Sequence, residues 1–327
     1  MLPAELSALS NRFVPTHQLA GPGSARLGVW CVNDLHSGAT RVLKCAQPHT
    51  LAAEPLCQHL RAIDREGQHF VTPLEQGVSG GMGWSITPWF GDGACDLQSR
   101  LASSDWADLA EPVVRALHRA LSLLHQPQAT ESGDEGGAEG AWVLHGDLKP
   151  ANVLLVPRVA APPQVLLTDF DGALLSRGSR TPTPLSRYTV RSASPQVLGG
   201  NRLLPAADWW SLGMLVAEGA LGRHPLQGLP EIQQRDLLSG SWAPDLQPVE
   251  DTAWRALLGG LLQRDADLRW GAETVDRWLG GDRSTWTEGL ALINEAASST
   301  PFLVGGRQVH TAPELARAML RAWQVVR

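Results

Sequence analysis

The order of hydrophobic and polar positions divides the chain into a strand-rich first part and a helical remainder. Residues 12–47 alternate short apolar runs with Gly, Asn and Asp, which predicts antiparallel strands joined by turns. Apolar residues at helical spacing predict one helix in this first part. The clearest predicted strands are 28–32 and 40–45, the runs 70–74 and 83–90 predict further strands, and the helix covers 51–63.

The pattern changes after residue 105. Apolar positions between 113 and 124 recur at helical spacing and predict a long amphipathic helix. A polar stretch at 128–140, rich in Gly, Glu and Ser, is typical of an exposed loop insertion. The apolar runs 153–156 and 165–168 flank a proline-rich turn and predict two further strands. From about residue 205 the pattern is mostly helical.

This order predicts an α+β protein of two lobes with a cleft between them. We place the antiparallel-sheet lobe at 12–90 and the mainly helical lobe at 91–282, and expect a small appended element at 283–327. In that element, residues 302–306 predict a short strand and turn. Residues 311–314 have the spacing of a helix N-terminal capping box.

Composition narrows the function classes. The net charge of −6 and the pI near 5.9 provide no basic field, so we expect no nucleic-acid partner. No apolar run reaches the roughly 18 residues of a bilayer span, and no signal-peptide pattern opens the chain. The four cysteines lack metal-ligand spacing. We therefore expect a cytoplasmic protein with reduced thiols and no membrane association.

Lysine is rare in this chain. Of the 27 basic residues only Lys44 and Lys149 are lysines. Where composition favours arginine for solvated cations, a retained lysine indicates a site that needs the compact ammonium group. Both lysines lie in segments that are candidates for a catalytic or binding role.

The segments 145–152 (HGDLKPAN) and 168–172 (TDFDG) carry the central motif. Phosphoryl transfer needs positioning and charge neutralisation: a carboxylate at the acceptor hydroxyl, a cation at the γ-phosphate, and oxygen ligands for Mg²⁺. The side chains that supply this set in order are Asp147, Lys149, Asn152 and Asp169. Lys44 ends an apolar strand, and a glycine-rich turn precedes that strand, with glycines at Gly21, Gly23 and Gly28.

With these motifs in order, the chain resembles the eukaryotic-like (Hanks-type) serine/threonine protein kinases over about residues 12–282, and its composition suggests the bacterial type. The resemblance implies ATP and Mg²⁺ (or Mn²⁺) as cofactors. It implies Lys44 on the α- and β-phosphates, Asp147 as base, and Asn152 and Asp169 as metal ligands. The glycine turn would cover the phosphates. It also implies Thr189 near Asp147 and Lys149, Thr87 at the adenine and Asp96 near the ribose.

Several positions depart from the family motifs. Gly146 replaces an arginine, so we expect activity that does not depend on activation-loop phosphorylation, which phosphatase treatment of active protein tests. Asp171 replaces a glycine and would reach a metal or stiffen its segment. Gln196 replaces a glutamate that pairs with Arg269. Glu54, with Glu66 as the alternative, is the candidate partner of Lys44.

Three functions fit these residues. The first is transfer of the ATP γ-phosphate to serine or threonine of a protein substrate. The second is a pseudokinase that binds nucleotide or a partner without chemistry. The third is a small-molecule kinase, since such relatives also carry the HGD motif. The segments around Thr189–Gln196 and Asp208 resemble protein-substrate machinery and favour the first function.

Overall fold

The computed structural model describes residues 4–21, 26–102, 106–128, 140–177, 185, 187–200, 203–298, 302–304 and 307–309. Within them an antiparallel-sheet lobe precedes a mainly helical lobe, which confirms the predicted α+β bilobal class. The chain passes from the first lobe to the second shortly after residue 88.

The first lobe is a five-stranded antiparallel sheet in which the fifth strand of the chain lies between the third and the fourth, and one helix lies between the third and fourth strands along the chain. Its small core includes Phe13, Trp30, Leu43 and Ile86, and further core residues lie two positions away on the same strands, because residues i and i+2 of a strand face the same side of the sheet. The elements are β1 (Phe13–Ala20), β2 (Arg26–Asp34), β3 (Ala39–Ala46), α1 (Glu54–Ile63), β4 (Glu75–Ser79) and β5 (Met82–Pro88). The predicted strands 28–32 and 40–45 lie within β2 and β3.

The predicted strand at 70–74 is wrong. Only Phe70 makes an isolated bridge, to Leu167, and the first strand after α1 is β4. Pro73 has no backbone N–H to donate to a ladder, so the apolar run cannot continue as a paired strand. Of this run only Phe70 is buried in the core, and Leu74 is exposed.

The second lobe is built around a buried central helix. Its helices are α2 (Leu97–Leu101), α3 (Trp106–His125), α4 (Pro195–Leu198), α5 (Ala206–Leu221), α6 (Glu231–Ser239), α7 (Thr252–Leu261), α8 (Ala272–Leu279) and α9 (Arg283–Ser298). Helix α5 is apolar on nearly every face, and Trp210 at its start is fully buried. A helix of that composition has to lie inside a core. The predicted long helix corresponds to α3.

Two small antiparallel sheets accompany the helices of the second lobe. Strands β6 (Cys95–Asp96), β8 (Val153–Arg158) and β9 (Ala161–Leu167) form one sheet, and β7 (Ala141–Leu144) pairs with β10 (Leu174–Arg177). Strands β8 and β9 are the predicted strands 153–156 and 165–168. The β7–β10 pair was not predicted from the sequence.

The last described elements are α9 and a hairpin. Gly259 of α7 and Gly289 of α9 contact each other closely enough that a Cβ on either would meet the opposite backbone, so α9 packs directly on the helical lobe. Strands β11 (Phe302–Val304) and β12 (Arg307–Val309) form the hairpin, in agreement with the strand expected near 302. The helix expected after residue 311 and nearly all of the predicted loop at 128–140 lie outside the described residues.

Candidate active site

The β8–β9 hairpin places the two predicted metal ligands at one end. Val153 of β8 pairs with Leu167 of β9, so Asn152, before the first strand, is opposite the residues that follow the second. Thr168 N donates a 2.9 Å hydrogen bond to Asn152 O across this end. Asn152 and Asp169 therefore flank the same end of the hairpin, as their spacing predicted.

A buried aspartate of α5 fixes the loop that carries Asp147. Asp208 is fully buried and accepts hydrogen bonds from His145 N at 2.8 Å, Gly146 N at 2.8 Å and His125 Nε2 at 3.0 Å. Burial alone would raise the pKa of Asp208, but His125 and the backbone donors hold it below its usual value. The contribution of His125 was not anticipated from the sequence.

Gly146 has a structural reason to be glycine. Its φ of +76° lies in the left-handed region, which residues with a Cβ rarely adopt. A Cβ there would also lie 2.7 Å from Leu185 Cδ2. Leu185 in turn packs against an apolar cluster formed by Leu144, Ala193 and neighbouring residues. An apolar contact thus holds Leu185, after β10, against the loop that carries Asp147.

Asp147 lies at the centre of a hydrogen-bonded group. Its Oδ1 accepts from Thr189 N at 2.8 Å, and its Oδ2 accepts from Lys149 Nζ at 2.6 Å and from Asn152 Nδ2 at 3.3 Å. Lys149 Nζ also donates to Thr189 Oγ1 at 2.8 Å. A carboxylate has about four acceptor sites, so one site on Oδ1 remains for a further donor. The structure thus brings together Asp147, Lys149, Asn152 and Thr189.

The side chain of Phe170 points into the core, and the preceding residue, Asp169, faces the cleft. Phe170 is buried, and its ring meets Phe70 edge-on at 5.5 Å and His145 at 5.0 Å between centroids. Asp169 has φ +64°, an unusual value for a residue with a Cβ. Such backbone strain persists only where surrounding contacts enforce it, and it is concentrated at functional sites.

Lys44 reaches two carboxylates from the first lobe. Its Nζ lies 2.6 Å from Asp169 Oδ1 and 2.6 Å from Asp171 Oδ2. Burial lowers the pKa of Lys44, but the two carboxylates raise it by more, so the ammonium form is favoured. Burial raises the pKa of Asp171 above its usual value. In Asp169 the effect of burial is outweighed by Lys44, and its pKa is lowered.

Neither candidate glutamate pairs with Lys44, which corrects the sequence expectation. Glu54 is the first residue of α1, and its carboxylate binds Arg61 Nη2 at 2.6 Å and Gln76 Nε2 at 3.2 Å. Glu66 lies exposed in the turn after α1. Asp171, which was expected to reach a metal or stiffen its segment, contacts the lysine instead. Its departure from the glycine of the motif was the only signal in the sequence.

The predicted nucleotide contacts lie on both sides of the cleft. Thr87 is in β5 opposite Val42 of β3. Asp96 caps α2, because its Oδ1 accepts from Ser99 N at 2.7 Å.

Gly21 follows β1, and Gly23 lies outside the described residues. Gly28 is in β2, where a Cβ would lie 2.7 Å from Trp30 Cη2, so packing alone requires glycine there.

Gln196 and Arg269 do pair, as the motif comparison suggested. Arg269 Nη2 donates to Gln196 Oε1 at 2.8 Å, and the guanidinium also reaches the carbonyls of Gln263 and Ala206. Burial, and to a lesser extent the positive charge of Arg264, lowers the pKa of Arg269 to about 10, while Asp265 acts in the opposite direction. The contact anchors α4 to the body of the second lobe.

The residues present fit a Mg²⁺ ion held between phosphates and protein. Both hydrogen bonds from Asn152 Nδ2 go to oxygens of Asp147, so its Oδ1 remains available as a ligand. Asp169 supplies carboxylate oxygen, the donor that Mg²⁺ prefers, and phosphates and water complete such a site. Among the described residues there is no cluster of three or more His, Cys, Asp or Glu that could hold a metal by itself.

Comparison with known proteins adds independent findings. The protein kinase domain model matches residues 107–277, more than half of the chain. The Arabidopsis thaliana serine/threonine-protein kinase AtPK2/AtPK19 is 33% identical over 166 residues, which cover 50% of this chain and 31% of the relative. The yeast serine/threonine-protein kinase YPK2/YKR2 is 31% identical over 136 residues, covering 41% and 19%. Mouse ribosomal protein S6 kinase alpha-6 is 29% identical over 144 residues, covering 41% and 18%.

These relatives are eukaryotic, so the bacterial subtype suggested by composition finds no support among them. The chain spans about a third or less of their length. In the part of the chain that the structure describes, no helix has both the length and the apolar character needed to cross a membrane.

Proposed function

This chain belongs to the protein kinase domain family, and on that premise we propose that it transfers the γ-phosphate of ATP to serine or threonine hydroxyls of a protein substrate. The observation that carries the proposal is the closed group of Asp147, Lys149 and Thr189. The threonine contributes its backbone N–H to the carboxylate and its hydroxyl to the lysine. That arrangement ties the segment near the substrate to the catalytic loop.

Asp147 would orient the acceptor and receive its proton. The remaining acceptor site on Oδ1 fits the hydroxyl of an incoming serine or threonine. The proton would pass to this carboxylate as the oxygen bonds to phosphorus, and the bond from phosphorus to the β-phosphate oxygen would break. Hydrogen bonds from Thr189 N, Lys149 and Asn152 fix the orientation of the carboxylate before substrate arrives.

The two lysines would neutralise the charge of different phosphates. Lys149 Nζ lies beside Asp147 and would reach the transferring γ-phosphate, while Lys44 on β3 would hold the α- and β-phosphates. When bound, Mg²⁺ neutralises charge on the β- and γ-phosphates. Asn152 and Asp169 would hold it. We also assign Thr87, Asp96 and the glycines Gly21, Gly23 and Gly28 to the nucleotide.

The two alternative functions differ from the proposed one in the residues that they require. A pseudokinase would lack one of the phosphate-directed groups, whereas Lys44, Asp147, Lys149, Asn152 and Asp169 are all present. A small-molecule kinase would have no use for a threonine that fastens a protein-binding segment onto the catalytic loop. A cytoplasmic location in a bacterium remains a prediction from composition alone.

Labelled ATP distinguishes the three functions. The purified chain is incubated with Mg²⁺ and γ-labelled ATP, alone, with casein or myelin basic protein, and with a pool of sugars and aminoglycosides. Label on serine or threonine of a protein supports the proposal. Label on a small molecule only, or nucleotide binding without transfer to any acceptor, would contradict it.

A further inference from the structure

Asp171 occupies an unusual position beside the phosphate-binding lysine. Its Oδ2 lies 2.6 Å from Lys44 Nζ, and its Oδ1 accepts a 3.3 Å hydrogen bond from Ala52 N. Arg187 Nη1 approaches the same carboxylate at 3.8 Å. The side chain is 10% exposed, against 31% for Asp169. The stretch from Lys44 to Ala52 in the first lobe and Arg187 in the second therefore meet at this one carboxylate.

Helix α1 supplies no carboxylate to Lys44. Its one acidic residue, Glu54, is engaged by Arg61 of the same helix and by Gln76 of β4. Among the described residues, the carboxylates paired with Lys44 are those of Asp169 and Asp171. Both lie on the segment that follows β9, so the lysine is held from the second lobe.

Asp169 and Asp171 cannot both remain paired with Lys44 once nucleotide binds. Asp169 is the proposed metal ligand, and its bond to Mg²⁺ would compete with its ion pair to Lys44. Asp171 is more enclosed and is also held by Ala52 N, so it can keep its contact while Asp169 turns to the metal. A cation that is partly buried needs such a partner, because an unpaired buried charge is costly.

We infer that Asp171 is the positioning residue of Lys44, holding its ammonium group toward the nucleotide phosphates in place of a helix glutamate. The inference rests on the proposed function in that it takes Lys44 as the phosphate-binding cation. It predicts that Asp171→Gly, which restores the glycine usual in the motif, weakens the binding of Mg·ATP.

The first experiment measures Mg·ATP affinity by calorimetry, with kcat and the KM for ATP beside it. The variants are Asp171→Asn, which keeps the shape and removes the charge, and Asp171→Gly. Glu54→Gln removes the competing candidate. We expect at least about tenfold weaker Mg·ATP binding for both Asp171 variants, since interactions with charged groups are lost. We expect a change below about twofold for Glu54→Gln, in the range of exposed ion pairs.

The second experiment uses the fact that the chain has only two lysines. Protein grown with ¹⁵N- and ¹³C-labelled lysine gives two side-chain signals, from Lys44 and Lys149, which Lys44→Arg assigns. In nucleotide-free protein, Asp171→Asn should shift the Lys44 signal and leave the Lys149 signal in place. An unchanged Lys149 signal also reports that the variant is folded. If Asp171→Asn does not fold, Asp171→Gly carries the same comparison.

The outcomes separate this inference from the proposed function. If the wild type binds Mg·ATP but transfers no phosphate, the affinity and lysine signals still decide the role of Asp171. If the wild type is an active kinase and Asp171→Asn changes neither the Lys44 signal nor the affinity, the inference is wrong and the function stands. A Lys44 signal that responds to Glu54→Gln instead would also overturn it.

Discussion

Replacing Gly146 by alanine tests how the catalytic loop is held. Gly146 has φ +76°, and the left-handed region costs other L-residues about 1–2 kcal/mol. The new Cβ would also lie 2.7 Å from Leu185 Cδ2. These methyl groups end a flexible side chain, so moving them costs less than the about 1.5–3 kcal/mol that burying a whole leucine contributes. We expect Gly146→Ala to lower the free energy of unfolding by about 1–3 kcal/mol.

Urea unfolding followed by tryptophan fluorescence measures this change, since 13 tryptophans report on the transition. The Leu185→Ala background separates the two contributions. It removes the steric part and should leave the backbone part of about 1–2 kcal/mol. A loss below about 0.5 kcal/mol for Gly146→Ala, within the range of ordinary surface substitutions, would refute the reasoning. Complete rescue by Leu185→Ala would show that the backbone conformation costs nothing.

Two further predictions concern Thr189 and a buried histidine. Thr189→Val removes the hydroxyl that receives Lys149 Nζ and keeps the backbone N–H to Asp147, so kcat should fall about tenfold while the KM for ATP is unchanged. Equal kcat values would contradict the role of that hydroxyl. Burial lowers the pKa of His224 from 6.5 to about 4, and within the described part of the chain its Nε2 has no hydrogen-bond partner. The unfolded chain therefore binds the proton more readily, so stability is complete above pH 6.5 and falls by on the order of 3 kcal/mol toward pH 4. Urea titrations across this range should show a flatter profile for His224→Asn, and parallel profiles would contradict the assignment.

Much of the fold follows from periodicity, because most strands and helices bury one face. Strands β2 and β3 contain the predicted strands 28–32 and 40–45, and α3 carries its apolar residues at helical spacing. The prediction at 70–74 failed because apolar character alone does not supply backbone partners, and Pro73 removes one donor. The β7–β10 pair was missed because Leu144 and Leu174 are distant in sequence and each strand has only four residues.

In the candidate site, too, one part could be predicted from the sequence and another part could not. Asp147, Lys149 and Asn152 are close in sequence, so their local spacing predicts that they meet. Asp169 joins them through a hairpin, whose register is also local. The partner of Lys44 could not be predicted, because several carboxylates lay within plausible reach of a strand-end lysine. Only the three-dimensional structure shows Glu54 bound to Arg61 and Asp171 beside Lys44.

The most direct test of the account compares the wild type with Asp147→Asn, which keeps the size of the side chain and removes its capacity to accept the proton. Transfer of labelled phosphate to casein or myelin basic protein and Mg·ATP affinity are measured on both. We predict that kcat falls by at least about 100-fold, the usual contribution of a positioned base, with Mg·ATP affinity little changed. A variant that phosphorylates serine and threonine at the wild-type rate would contradict the assignment of Asp147 and, with it, the proposed mechanism.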